Sequence, residues 1–303
     1  MKNSLYIFLL LASFSVKAQD DIVKKIVDEA NNNSQLEVLA HELLDVVGPR
    51  LTGTPQMKNA GEWALQRYAG WGIDARIHEF GEWQGWERGV THVDLVSPRI
   101  RTLSGMQLAY SPSTSQEGIT AGLAVIPEVN NKEEFNAWLK TIKGKFVLSS
   151  MNQVTGRPEY NWEKFATPES FEKMKKDKVE ASRKWNANYR KMGVNRRNII
   201  KTLEEAGAAG ILSSYWAGGF GANRIFSAGT KTIPNIDLRL EDYSMLYRMV
   251  KSGAGPEIRV VSTSKDLGVV PTFNALAEIR GVEKPDEYVI LSAHFDSWDG
   301  ATG

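Results

Sequence analysis

Two residues near the carboxyl end of the sequence, His294 and Asp296, have the types and spacing for metal chemistry. They follow the apolar run Tyr288-Val289-Ile290-Leu291, within Ser292-Ala293-His294-Phe295-Asp296-Ser297-Trp298-Asp299-Gly300. Read as a buried strand entering a Gly-containing turn, the segment puts both side chains on one side, because strand residues alternate with period two. A neutral imidazole can ligate zinc while its second nitrogen donates to a carboxylate, which fixes the ring and raises its basicity. On an extended backbone the two side chains cannot both be ligands and also be bonded to each other; spacing leaves that choice open. His-x-Asp alone is unspecific, and a buried histidine satisfied by one hydrogen bond is the competing reading. Position favours chemistry, since open α/β sheets place sites at the carboxyl ends of strands.

Zinc takes four donors, and a third or fourth is missing locally. The remaining histidines are His41, in an amphipathic helical pattern, and His78 and His92, in strand-like segments; none has a paired ligand spacing, and each reads as structural. With no cysteine there are no disulfides and no thiolate ligands, so any metal is held by His, Asp and Glu. Ser292 and Ser297 flank His294, but no Gly-x-Ser-x-Gly elbow accompanies them, and neither a Walker loop nor a dinucleotide fingerprint occurs.

The elements that must position such a pair read as α/β. Residues 20 to 47 predict two helices separated by Asn31-Asn32-Asn33, the second with Ser34 as N-cap and Glu37 closing a capping box. Gly48-Pro49 ends it, and Pro55 opens a further helix with Ala60, Trp63, Ala64 and Tyr68 on one face. Ile73, Ala75 and Ile77 alternate as a strand, Val90 to Val96 form another, and Trp71, Trp83 and Trp86 read as core and edge packing. From about residue 117 small β/α units follow: strands at 119–126, 144–149, 211–213 and 258–261, helices at 132–142, 198–206 and 240–250, and a turn at Ile233-Pro234. The charged stretch Glu159 to Arg197 reads as an exposed helical excursion. Phe273 to Ile279 and Tyr288 to Ser292 are expected as two strands joined by a hairpin.

Composition bounds the partners. The 303 residues are 42% hydrophobic and 24% charged, ordinary for a globular protein with one large or two moderate cores. Lys2, the apolar stretch Leu5 to Val16 and Val16-Lys17-Ala18 form a signal-peptide pattern with cleavage expected after Ala18, too short to serve as a membrane span. Removing Lys2 and Lys17 takes the formal charge from +1 to −1, so no general field favours nucleic acid. A secreted or periplasmic protein without a stable membrane anchor is expected.

Several segments in order carry a resemblance. Gly48-Pro49-Arg50-Leu51-Thr52-Gly53-Thr54, Trp86-Glu87-Arg88-Gly89, Gly144-Lys145-Phe146-Val147, Glu205 to Gly210, Phe273-Asn274-Ala275, and Pro285 through His294-Phe295-Asp296-Ser297-Trp298-Asp299 resemble the carboxypeptidase Q branch of the secreted di-zinc exopeptidases, from about residue 35 onward. The resemblance implies an α/β/α peptidase core, two zinc ions with an activated water between them, a Glu as general base, and peptides or dipeptides as substrate. It implies His294 as a zinc ligand and Asp296 as the carboxylate that orients it; the family's other ligands and its base match no residue up to Gly303. The segment from 117 to 266 resembles a protease-associated domain. The implied layout is a signal peptide at 1–18, the amino-terminal part of the peptidase domain at 19–116, the inserted domain at 117–266 and the start of the metal-binding part at 267–303. A homodimer is compatible with it. The 303-residue chain is expected to bind zinc weakly and to hydrolyse no peptide. Two other functions stay open: a nonenzymatic secreted module that binds peptide or protein, and a single-zinc acyl-transfer enzyme on the same scaffold.

Overall fold

In a computed structural model, residues 21–299 are described apart from 222 and 225. The signal-peptide segment lies outside them. The chain divides into two compact units, one ending at Gly48 and one from Pro49 onward.

The first unit is helical. Residues 21–32 form α1, Leu36–Ala40 form α2, and His41–Val47 continue as a turn of π-helix. The expected capping box does not form: the cap is Gln35, without a side-chain hydrogen bond. The Ser34 hydroxyl accepts instead from Leu36 N, 3.3 Å away, a local serine turn that competes with the cap.

The second unit is built on one mixed sheet of eight strands in the order β2-β1-β8-β4-β5-β6-β7-β3. These are β1 Asp74–Ser97, β2 Arg101–Leu103, β3 Gly105–Gln107, β4 Ile119–Val125, β5 Phe146–Leu148, β6 Gly210–Ser213, β7 Asn235–Leu238 and β8 Glu257–Glu278. Strands β4 to β7 run parallel, and the remaining pairs are antiparallel. Parallel strands carry apolar residues on both faces because helices cover each side. Leu123, Phe146, Leu148, Leu212 and Ile236 face one apolar cluster, with Tyr243 and Leu246 of α8 (Leu240–Lys251). Their neighbours Ala124, Val147 and Ile211 face a second cluster, with Phe135 of α4 (Lys132–Leu139), Tyr189 and Met192 of α6 (Pro168–Met192) and Leu203 of α7 (Ile199–Glu205).

The excursion expected over 159–197 is helical as α5 (Glu159–Phe165) and α6. Charge does not make α6 wholly solvent-facing: Met174, Asn188, Tyr189 and Met192 are buried. The Asn188 amide donates to Pro127 O at 2.8 Å and accepts from Val129 N at 3.0 Å, tying the helix to the loop after β4.

Two strands read as short pieces are each continuous. The pieces at 73–77 and 90–96 belong to β1, and those at 258–261 and 273–279 to β8, which pairs with it antiparallel from Asp74↔Glu278 to Ser97↔Glu257. Four register shifts bend this ribbon, and such bulges let a long pair of strands twist without breaking. Residues 266 and 267, where the inserted domain was expected to end, lie within β8. Helix α3 (Pro55–Gly70) packs on the ribbon, capped by the Thr54 hydroxyl accepting from Met57 N at 3.3 Å. Gly61 permits that approach, since a Cβ there would stand 2.6 Å from the Phe273 ring.

The hairpin expected between 273–279 and 288–292 is absent among the described residues. Val289, Ile290 and Leu291 are 95%, 81% and 95% exposed and unpaired. An all-apolar run forms a stable strand only with cover on both faces, and the described residues place none there. Trp86 is core as expected, whereas Trp71 and Trp83 are exposed.

Candidate metal centre

His294 and Asp296 therefore sit on an irregular segment rather than a strand, and other residues hold it. The loop between Gly48 and α3 supplies the first anchor. Arg50 N donates to Ser297 Oγ at 2.9 Å, Ser297 N donates back to Arg50 O at 2.8 Å, and Arg50 Nε donates to Phe295 O at 3.0 Å. Arg50 is 5% exposed; burial pushes its guanidinium below the ordinary value, and the charge of Asp296 pulls it back up.

The second anchor comes from β1. Arg88 pairs with Asp299, a carboxylate only 5% exposed, and the Arg88 guanidinium lies 4.8 Å over the Trp86 ring. An Arg clamped between a carboxylate and an aromatic face keeps its fork in one orientation. Trp86 is fixed in turn, its backbone N donating to Gly53 O at 3.0 Å and its indole to Ser111 O at 3.4 Å. Gly53 has φ +79°, and a Cβ there would meet Gln84 O at 2.4 Å, so the loop closes on β1 only with glycine. Tyr110, a non-glycine residue at φ +58°, completes the wall: its hydroxyl donates to Thr52 O at 2.7 Å and accepts from the Trp83 indole at 3.0 Å. Burial pushes the Tyr110 phenol upward, with Asp299 adding to the shift.

On this support the His294 ring places Nδ1 3.1 Å from Asp296 Oδ1 and 3.0 Å from Asp296 O. With the proton on Nδ1, the carboxylate orients the imidazole and leaves Nε2 as a lone-pair donor. The His294 side chain is 85% exposed and that of Asp296 48% exposed, so the pair is open. Its chemistry fits one ligand position and its partner. It does not fit a whole zinc site: among the described residues no three metal-donating side chains come together.

The other sequence candidates stay apart. His41 pairs with Asp45 at 2.9 Å on the π-helix, and His78 and His92 sit on exposed positions of β1. Ser297 is a structural hydroxyl, accepting from Arg50 N. Sequence reasoning gave no role to Arg50, Arg88 or Tyr110. The first two stood in quoted motifs, and two cations that could meet Asp296 and Asp299 were the available signal; Tyr110 carried none.

No family model matches the chain. It is 26% identical over 292 residues to carboxypeptidase Q of Pongo abelii, which covers 95% of this chain and 55% of that protein. Carboxypeptidase Q of Bos taurus is 27% identical over 288 residues, covering 93% and 54%, and that of Homo sapiens 26% identical over 287 residues, with the same coverage. The chain thus spans about half the length of the curated relatives it matches. The crystal structure of a peptidase M28 precursor from Shewanella amazonensis superposes with TM-score 0.54 at 22% identity, covering 94% of this chain and 60% of that one. The chain is therefore similar along nearly its whole length to carboxypeptidase Q, and it shares the fold of a peptidase M28 precursor.

Proposed function

We propose that this chain contributes His294, as a zinc ligand, and Asp296, as its orienting carboxylate, to a secreted zinc metallopeptidase that removes terminal residues from short peptides. The observation that carries the reading is the Nδ1–Oδ1 approach of 3.1 Å on a segment fixed by Arg50 and Arg88. Similarity to carboxypeptidase Q over 93–95% of the chain supports the same reading. Zinc, when bound, would supply Lewis-acid polarisation and an activated water. The residues present do the positioning. Asp296 holds the Nδ1 proton and so keeps Nε2 available, while the Arg50 and Arg88 contacts limit the motion of the segment that carries both. Two ions, a protease-associated module around the parallel strands, export and a homodimer belong to this proposal. No helix among the described residues is long and apolar enough to cross a membrane, which is compatible with export.

One imidazole is not a closed site, so the 303-residue chain alone is proposed to bind zinc weakly and to be inactive. The test is an assay of the complete gene product on dipeptides and on amino- and carboxyl-blocked peptides, with and without chelator. Chelator-sensitive release of a terminal residue, lost in His294→Ala, is expected. Cleavage insensitive to chelator, or unchanged in His294→Ala, would overturn the proposal.

A further inference from the structure

Two of the parallel strands, β5 and β6, run into hydroxyls at their carboxyl ends. Ser149 and Ser150 follow β5; Ser213 ends β6 and Ser214 follows it. Between these ends and helices α6 and α7 lies a pocket of about 200 Å³, lined in part by Ser150, Ser214, Arg196, Trp185, Tyr189 and Tyr215.

Three of the residues lining it, Ser150, Ser214 and Arg196, carry donors for which no acceptor is seen among the described residues. Ser214 is 8% exposed, and its Oγ is buried without a hydrogen-bond partner among the described residues. A buried hydroxyl left unsatisfied is destabilising, and an incoming acceptor removes that penalty. The Ser150 hydroxyl accepts from Ser214 N at 2.9 Å, so its own proton remains to be donated. Arg196 is exposed, and among the described residues no carboxylate pairs with it. Its positive charge reaches the pocket walls, where it offsets part of the burial that pushes the Tyr189 and Tyr215 phenols upward.

One guanidinium and two hydroxyl protons match a monoanion with two acceptor oxygens. The aromatic walls of Trp185 and Tyr189 suit an apolar group beside that anion. We propose that this pocket binds the carboxylate of an amino acid, held by Arg196, Ser150 and Ser214, with the side chain against the aromatic wall. The ligand chemistry is shared by a free amino acid and by the carboxyl-terminal residue of a peptide. The site needs no metal and does not depend on the peptidase reading.

The experiment is calorimetric titration of the 303-residue chain, in chelator, with leucine, N-acetylleucine, N-acetylleucinamide and inorganic phosphate. Binding of at least one carboxylate and none of the amide is expected. Tighter leucine identifies the free amino acid, and N-acetylleucine of equal or greater affinity identifies a peptide end. Arg196→Gln, an exposed substitution that leaves folding intact by circular dichroism, is expected to weaken binding about tenfold or more. Ser214→Ala gives an independent reading in the same direction. Equal binding of the amide, binding of phosphate in place of both carboxylates, no carboxylate binding, or undiminished affinity in Arg196→Gln overturns the proposal.

Discussion

Replacing Arg88 by alanine tests whether the His294 segment is held from outside, as its irregular backbone requires. The side chains of Arg88 and Asp299 are 19% and 6% exposed, so the substitution takes the guanidinium from a carboxylate with little water around it. Breaking such a pair costs about 3–5 kcal/mol when the remaining charge must stay buried. Here it need not stay buried, because residues 294–299 can detach. Resisting detachment are at least three hydrogen bonds between Arg50 and the backbone or hydroxyl of 295–297, each contributing about 0.5–1.5 kcal/mol, together with the Trp298 ring against Phe226 and under the Arg224 guanidinium. The penalty is comparable with that restraint, so local release is expected rather than global unfolding. In native-state hydrogen exchange, protection of the Ser297 amide, bonded to Arg50 O at 2.8 Å, should fall about a hundredfold while amides of β5 and β6 keep theirs. Asp299→Asn combined with Arg88→Ala should recover part of the protection, since the uncompensated charge is gone. Unchanged Ser297 protection in Arg88→Ala would refute the reasoning.

Gly53→Ala forces both a left-handed backbone and contact with Gln84 O, and should destabilise the chain by about 1–3 kcal/mol, read from the urea midpoint. Asp237, 1% exposed, is pushed up to about 7 by burial, against donors from Tyr215 N and Asn223 Nδ2 that favour its charged form. Its folded value lies above its unfolded one, so the folded state binds more protons between about pH 4 and 7 and stability falls as pH rises through that window. Asp237→Asn should remove most of that slope in urea titrations at pH 4.5 and 7; a slope equal to that of the parent would show that Asp237 titrates normally. Zinc titration of the 303-residue chain should give weak binding that His294→Ala abolishes, with no effect of His78→Ala, by calorimetry.

Strands β4, β5 and β6 were legible because each is short, largely apolar and entered through glycine. Strand β7 escaped because Asn235 and Asp237 interrupt its apolar pattern; both are buried, held by bonds to Ser213, Tyr215 and Asn223 that sequence does not display. The long strands β1 and β8 were read as fragments because Gly81, Gly85, Gly89 and Gly268 look like turns, whereas they stand at bends of one ribbon. For the site, period two found the His294–Asp296 pair, although the strand that justified it is absent. A side chain of two residues' separation can meet its neighbour on irregular backbone as well. The anchors Arg50 and Arg88 lie more than 200 residues away in sequence, and no local pattern reveals such partners.

The β1–β8 ribbon also constrains how this chain can change. Ser97 and Glu257 are direct partners, so everything between them leaves and returns through one doorway. Changes in the helical excursion between β5 and β6 need not move the two strands that frame the segment, whereas β2, β4, Tyr110 and Ser111 within it bond to that ribbon or to the loop beside it. Toward the opposite end, Asp74 with Glu278, the ribbon carries α3, while the loop that grips the His294 segment meets β1 at Gln84 and Trp86. Variation can accumulate on one side of the ribbon while the other keeps its geometry, a division of labour drawn by strand pairing rather than by a flexible linker.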